Sequence, residues 1–273
     1  MLDILLAPAL LLGGMGLLFG LVLAYSSKKF HVETNEKLQQ ITEALPCSNC
    51  GGCGFAGCAA FADAVLNGEV KPNKCPVGGE ESLKQISEIM GTAFEPPIRE
   101  TAYIRCCGGK SKSKPRYDYA GLNNCKAAKQ IAGEDPKSCV YGCLGGGSCE
   151  AVCIFNAITI EDGIAIINPE KCTACALCIK ACPKKLISLV PYNSRIHVAC
   201  LSKEPARDVR KSCKVGCIAC KLCIKSCAFS AIYIKDNCAH INYTKCTQCN
   251  ACIEVCPSNC IIGECPQIVA NSR

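Results

Sequence analysis

The stretch CKVGCIACKLCIKSC (213–227), followed by KCTQCNACIEVCP (245–257), decides how this chain is read. Cys217, Cys220, Cys223 and Cys227 follow the spacing C-x2-C-x2-C-x3-C, and Cys246, Cys249, Cys252 and Cys256 repeat it. Thiols so close together suit one compact inorganic centre and are poorly placed to staple distant segments. Cys213 is one cysteine more than its run needs. The pattern also occurs 74 residues earlier: CVYGCLGGGSCEAVC (139–153) lies over 213–227, and KCTACALCIKACP (171–183) lies over 245–257. Between the runs, IFNAITIEDGIAIINPE matches AFSAIYIKDNCAHINYT. Each reads as two short apolar strands around an Asp-Gly or Asp-Asn turn.

A module of two cysteine runs and one hairpin resembles the bacterial-type ferredoxins, in which the fourth cysteine of each run ligates the other cluster. On that resemblance Cys217, Cys220 and Cys223 join Cys256, and Cys246, Cys249 and Cys252 join Cys227. In the earlier copy Cys172, Cys175 and Cys178 join Cys153. Its other site keeps Cys143, Cys149 and Cys182 but has Gly146 where the later copy has Cys220. Cys139, one turn upstream, is the expected replacement, which frees its counterpart Cys213. Ile154 and Ala228 stand where proline usually follows the fourth cysteine, a departure that touches loop packing more than ligation.

The bulk numbers agree. There are 29 cysteines in 273 residues, an odd count that opposes complete disulfide pairing. With 7 Phe, 8 Tyr and no Trp, clusters must supply much of the stability. His31, His197 and His240 lie outside the cysteine runs, against zinc sites of mixed ligands. The net charge of +7 suits a solvated surface, an acidic redox partner or an anionic membrane. No basic run is interleaved with aromatics, so nucleic acid is not expected as a partner. GGKS (108–111) lacks the leading glycine of a phosphate loop, Ile104 standing there, so KSKSKPR (110–116) reads as a solvated loop or ferredoxin-docking patch. No dinucleotide fingerprint or catalytic triad stands out, so no site for substrate chemistry is expected.

From Ile4 to Tyr25 no residue is charged, and Lys28 and Lys29 follow. The 22 residues span a bilayer as a helix and read as an uncleaved anchor with the bulk of the chain cytoplasmic. Gly16 and Gly20 form a GxxxG pair. Residues 30–45 read as a polar helical connector. CSNCGGCGFAGC (47–58) and CPVGG (75–79) then offer Cys50, Cys53, Cys58 and Cys75, spaced C-x2-C-x4-C-x16-C, with a helix between them ending near Asn67-Gly68. Cys47 is extra and reads as a free thiol.

A membrane anchor, then NCGGCGFAGC…CPVGG, then tandem dicluster modules resembles the RnfB family, the B subunit of the Rnf complex, over nearly the whole chain. The resemblance implies a single-pass inner-membrane protein that passes electrons from soluble ferredoxin into an ion-translocating ferredoxin:NAD+ oxidoreductase. Nicotinamide and flavin chemistry and ion movement would belong to other membrane and peripheral subunits. A polyferredoxin of another membrane oxidoreductase or redox-sensor reductase is the alternative, and a zinc or disulfide scaffold the third. Cys238 aligns with Ile164 and Cys260 with Leu186, as small apolar packing residues, and Cys265 reads as idle. AYIRCCGG…GLNNC and RIHVACLSKEPARDVRKSC precede the two modules, so Cys107 (or Cys106), Cys125, Cys200 and Cys213 are expected to form a sixth [4Fe–4S] cluster beside the other five. The expected architecture is α+β: an anchor (1–27), a connector helix (28–46), a small helical Fe–S domain (47–95), a linker (96–138), module 1 (139–190), a linker strand (191–212) and module 2 (213–273).

Overall fold

A computed structural model of the chain describes residues 2–29, 35–94, 96, 98–130 and 135–263; His31 and Cys265 lie outside them. Helix α1 (Leu2–Lys29) is the one helix among the described residues long and apolar enough to cross a membrane, with mean hydropathy 1.4 over Leu11–Lys29. Its apolar side chains from Leu11 to Leu23 are exposed, and among the described residues nothing comes within 4 Å of a Cβ placed on Gly16 or Gly20.

Helix α2 (Glu36–Ala44) starts where the Asn35 side chain accepts the Lys37 N–H at 3.1 Å. The expected connector is thus part of the next domain. Leu38, Ile41 and Leu45 fall on one helical face, and Ile41 and Leu45 are buried with Phe61, Ala62 and Val65 of α3 (Cys58–Leu66) and Ile86 of α4 (Gly79–Met90). Three apolar positions at helical spacing outweigh a polar average.

Module 1 has two short antiparallel ladders. Strand β1 (Glu100–Ile104) pairs with β4 (Ile187–Pro191), setting Ile104 opposite Ile187. Strands β2 (Ile158–Glu161) and β3 (Ile164–Ile167) form a hairpin whose Asp162 and Gly163 both have positive φ, as a two-residue type I′ turn requires. Module 2 repeats the plan: β5 (His197–Val198) pairs with β8 (Ile261–Ile262), and β6 (Ile232–Lys235) with β7 (Cys238–Ile241). The strands read as linkers therefore belong to the modules that follow them. In both cores branched aliphatic side chains pack directly on cysteines.

The stretch KSKSKPR departs from its reading as a solvated loop. Lys114 N donates to Ser212 O at 3.0 Å, Lys214 N to Lys112 O at 2.9 Å and Ser138 N to Lys114 O at 3.1 Å. One segment is thus laced between the stretches that lead into the two modules. Its lysine side chains stay exposed while its backbone pairs on both sides and Ser113 is buried, which a charge count does not reveal.

Candidate metal centres

Each cysteine run closes by the same backbone device. The residues flanking its second ligand position have left-handed φ: Ala174 and Ala176, Ala219 and Lys221, Gln248 and Asn250, and in the first run Gly145 and Gly147. Left-handed backbone costs a residue with a Cβ about 1 kcal/mol or more. Alternating hands also turn successive N–H groups into one concavity, a nest for an anion. Three residues past each fourth cysteine stands another left-handed residue: Asn156, Lys185, Ser230 or Asn259. The N–H that follows it reaches back to sulfur, from Ala157 to Cys153 at 3.4 Å, Leu186 to Cys182 at 3.5 Å and Ala231 to Cys227 at 3.4 Å.

Four partly open cavities result, each lined by at least four thiols. One has Cys217, Cys220, Cys223 and Cys256; the second has Cys227, Cys246, Cys249 and Cys252; the third has Cys153, Cys172, Cys175 and Cys178. The fourth has Cys143, Cys149 and Cys182, and its fourth thiol is Cys125 rather than the expected Cys139. Gly146 gives the reason. A Cβ there would lie 2.9 Å from Cys125 N and 3.0 Å from the Asn124 carbonyl carbon. The incoming backbone of residues 124–125 needs a residue without a side chain at that place, and it brings its own thiol instead. Ser148 Oγ holds it there, accepting the Cys125 N–H at 2.9 Å.

Cys139 stands with Cys106, Cys200 and Cys213. Burial pushes its thiol up to about 12, and those three cysteines push it the same way; Cys213 is likewise raised by burial and then by Cys106 and Cys200. A Cβ on Gly108 would meet Cys213 Sγ at 3.0 Å and Cys106 Sγ at 3.9 Å. The ladders explain why Cys106 leads rather than Cys107. Arg105 N donates to Leu186 O at 2.9 Å and Ala199 N to Cys260 O at 2.8 Å, so Cys106 and Cys200 hold equivalent places two residues beyond their strands. Cys139 and Cys213 are equivalent in the 74-residue repeat. Each module thus gives one matching pair of thiols. Cys107 stands beside them, its thiol donating to Ala199 O at 3.5 Å. Aligning YIRC (103–106) with HVAC (197–200) is the signal in the sequence that selects Cys106.

In the N-terminal domain Cys53 and Cys58 stand near Cys75, whose thiol burial pushes up. Cys50 stands beside Cys175 of module 1, and a Cβ on Gly52 would come 2.9 Å from the Cys175 carbonyl oxygen. Cys47 is exposed, its thiol donating to Thr42 O at 3.5 Å.

Burial raises thiols in both modules, Cys223 and Cys252 of module 2 to about 11 among them, while some thiols of module 2 are also hydrogen-bonded to other thiols. In module 1 burial pushes Cys143 up to about 11 and Cys149 up to about 12. In module 2 the Cys260 thiol, 3.6 Å from Cys256 Sγ, holds Cys256 down to about 5 by hydrogen bonding, and Cys238 holds Cys200 down to about 7. Cys217 lies far below the usual thiol range because Cys238 and Cys260 both hydrogen-bond to it. Cys238 and Cys260, expected as packing residues, are buried as expected and also touch these thiols. Among the described residues no three His, Cys, Asp or Glu are drawn in close enough to hold one metal ion. Quartets of thiols with no other donor among them, several of whose sulfurs accept backbone N–H groups, fit a polynuclear iron–sulfur core.

Comparison with known proteins agrees. The family model described as a putative Fe–S cluster matches residues 45–77, and the one described as a 4Fe–4S binding domain matches 165–188 and 239–262. The chain is 44% identical over 265 residues to the B subunit of the Na+-translocating ferredoxin:NAD+ oxidoreductase complex of Acetobacterium woodii, covering 97% of this chain and 79% of that one. It is 40% identical over 260 residues to the B subunit of the ion-translocating oxidoreductase complex of Methanosarcina acetivorans, covering 95% and 98%. The B subunit of the proton-translocating ferredoxin:NAD+ oxidoreductase complex of Clostridium ljungdahlii is 40% identical over 251 residues, covering 90% and 88%. With identity of this extent along most of the length of both partners, the chain belongs to the RnfB family, the B subunits of Rnf-type ion-translocating oxidoreductase complexes.

Proposed function

We propose that this chain is the electron-carrying subunit of an Rnf-type ferredoxin:NAD+ oxidoreductase, and that it holds six [4Fe–4S] clusters in single file. The ligand sets are the four quartets around the cavities, Cys50 with Cys53, Cys58 and Cys75, and Cys106 with Cys139, Cys200 and Cys213. When bound, such clusters supply one-electron storage.

One observation carries the reading: neighbouring thiol groups lie within electrostatic reach of one another from one end of the described domains to the other. Cys223 stands beside Cys252, and Cys200 beside Cys217. Cys106 Sγ accepts the Cys143 N–H at 3.4 Å. The two quartets of module 1 each take one thiol from the other's run, and Cys50 meets Cys175. Reduced ferredoxin docks at module 2, where Cys220 and Cys249 are exposed among exposed Lys221, Lys225 and Lys245. The N-terminal domain follows α1, a single-pass anchor with Lys28 and Lys29 on the cytoplasmic side. Nicotinamide chemistry and ion movement belong to partner subunits.

The test is iron and sulfide analysis of anaerobically purified full-length protein, with ferredoxin-driven NAD+ reduction in the assembled complex. Equal iron and sulfide sufficient for six clusters, and loss of NAD+ reduction in Cys50→Ala, are expected. Zinc in place of iron, or full NAD+ reduction without the N-terminal cluster, overturns the reading.

A further inference from the structure

Lys137 is a charged residue buried between two of these thiol groups. It is 9% exposed. Its Nζ donates to Gly108 O at 2.6 Å and to Cys143 O at 2.7 Å. The first carbonyl belongs to the turn packed on Cys213 and Cys106, and the second to a thiol-bearing residue of the neighbouring quartet. Its stem lies against Gly142, where a Cβ would meet Cδ at 3.4 Å. No carboxylate among the described residues forms an ion pair with it. Lys184 makes the contrast. It lines the cavity of the Cys125 quartet, but it is ion-paired with Asp135 and donates to Val140 O at 2.8 Å.

A desolvated ammonium held by two carbonyls, with the solvent-exposed Asp162 carboxylate in electrostatic reach but not ion-paired to it, is an expensive arrangement unless a stronger opposite charge stands nearby. Protonated thiols do not supply that charge. A [4Fe–4S] core held by four thiolates does, because the whole is net negative and becomes more so on reduction. The positive charge of Lys137 already reaches both groups, opposing the upward push on Cys143 and on Cys213.

We propose that Lys137 is a fixed counter-charge shared by the cluster on Cys106, Cys139, Cys200 and Cys213 and the cluster on Cys125, Cys143, Cys149 and Cys182, and that it raises the reduction potential of both. The middle of the file then holds an electron more readily than it would otherwise, and Lys137 acts as a positioning residue for charge. This rests on the cluster assignments above. A low-dielectric site makes the effect large, while the carbonyls and partial hydration moderate it.

The experiment uses the full chain, loaded anaerobically, with Lys137→Gln to remove the charge while keeping an amide donor, and Lys137→Arg to keep the charge. Redox titration followed by low-temperature electron paramagnetic resonance reads the clusters one by one. At a fixed ambient potential, Lys137→Gln should lower the reduced-to-oxidised ratio of two clusters about tenfold, ~59 mV for a one-electron couple. Iron content should not change, and Lys137→Arg should stay near wild type. Unchanged potentials at full iron content overturn the proposal. So does an equal shift in both variants, or iron loss in both with no shift in the remaining clusters, since either makes the residue structural. The wild-type iron count tests the cluster assignments separately: with the inter-module cluster absent, a shift confined to the module 1 cluster still distinguishes the two failures.

Discussion

Modules 1 and 2 share a plan and differ in where one thiol comes from. Module 2 draws all its ligand candidates from its two runs. Module 1 has Gly146 in place of Cys220 and takes Cys125 from outside. The spacing between equivalent thiols shows how. Cys200 and Cys213 are 13 positions apart, whereas Cys106 and Cys139 are 33 apart, and Cys125 lies in that longer stretch. An insertion thus carries the thiol that its module lacks. The pair on either side of it, Cys106 and Cys139, remains free to match Cys200 and Cys213. A repeat is therefore best compared by ladder register as well as by sequence offset.

The strongest test of this difference removes the two contested thiols in turn. Cys125→Ala should cost the cluster of Cys143, Cys149 and Cys182, and Cys139→Ala should cost the one between the modules. Cluster-resolved paramagnetic spectra and iron counts distinguish them; the reverse pattern would return Cys139 to its role as a replacement ligand. Next in size is Gly146. Because a Cβ there would press on Cys125 N at 2.9 Å, Gly146→Ala should destabilise the protein by about 1–3 kcal/mol in thermal unfolding. Restoring the run with Gly146→Cys in a Cys125→Ala background should fail to recover the cluster, since the backbone of residues 124–125 is still in the way.

A smaller effect should follow pH. The ladders make Tyr103 and His197 equivalent, and their rings stack on each other at 4.1 Å where the modules meet. Burial pushes His197 down to about 4, and its Nδ1 is 2.9 Å from the Tyr243 hydroxyl. The unfolded chain binds this proton more readily than the folded one. Stability contributed by the neutral ring is present above the unfolded value near 6.5 and is lost as pH falls toward 4. Between pH 7 and 5 the loss should be about 2 kcal/mol in denaturant unfolding, and His197→Phe should flatten that slope. The mildest effect should come from Cys260→Ala, which deletes a donor to Cys256 that Leu186 never offers in module 1. The potential of the Cys217 cluster should fall with iron content unchanged; an unaltered potential would leave Cys260 a packing residue only.

Much of this was legible in the residues. Spacing announces the runs, the offset announces two modules, and Asp162-Gly163 marks its hairpin turn. Physical context decides the rest. Cys125 and Cys139 exchange places relative to the sequence reading because Gly146 reads as a defect in isolation and as a doorway once residues 124–125 pass over it. Cys106 and Cys107 are adjacent in the chain, and only the partner of Arg105 N separates them. The connector at 30–45 looks polar on average, yet Ile41 is fully buried.

The thiol group shared by the two modules has a consequence for how the protein is made. Cys106 leaves the ribosome long before Cys213, and the lacing of residues 112–114 to 212–214 waits for the same late segment. The four thiols Cys106, Cys139, Cys200 and Cys213 can meet only once the second half of the chain is present. On the six-cluster assignment proposed above, filling that last site requires both halves of the chain to have been synthesised, folded and brought together.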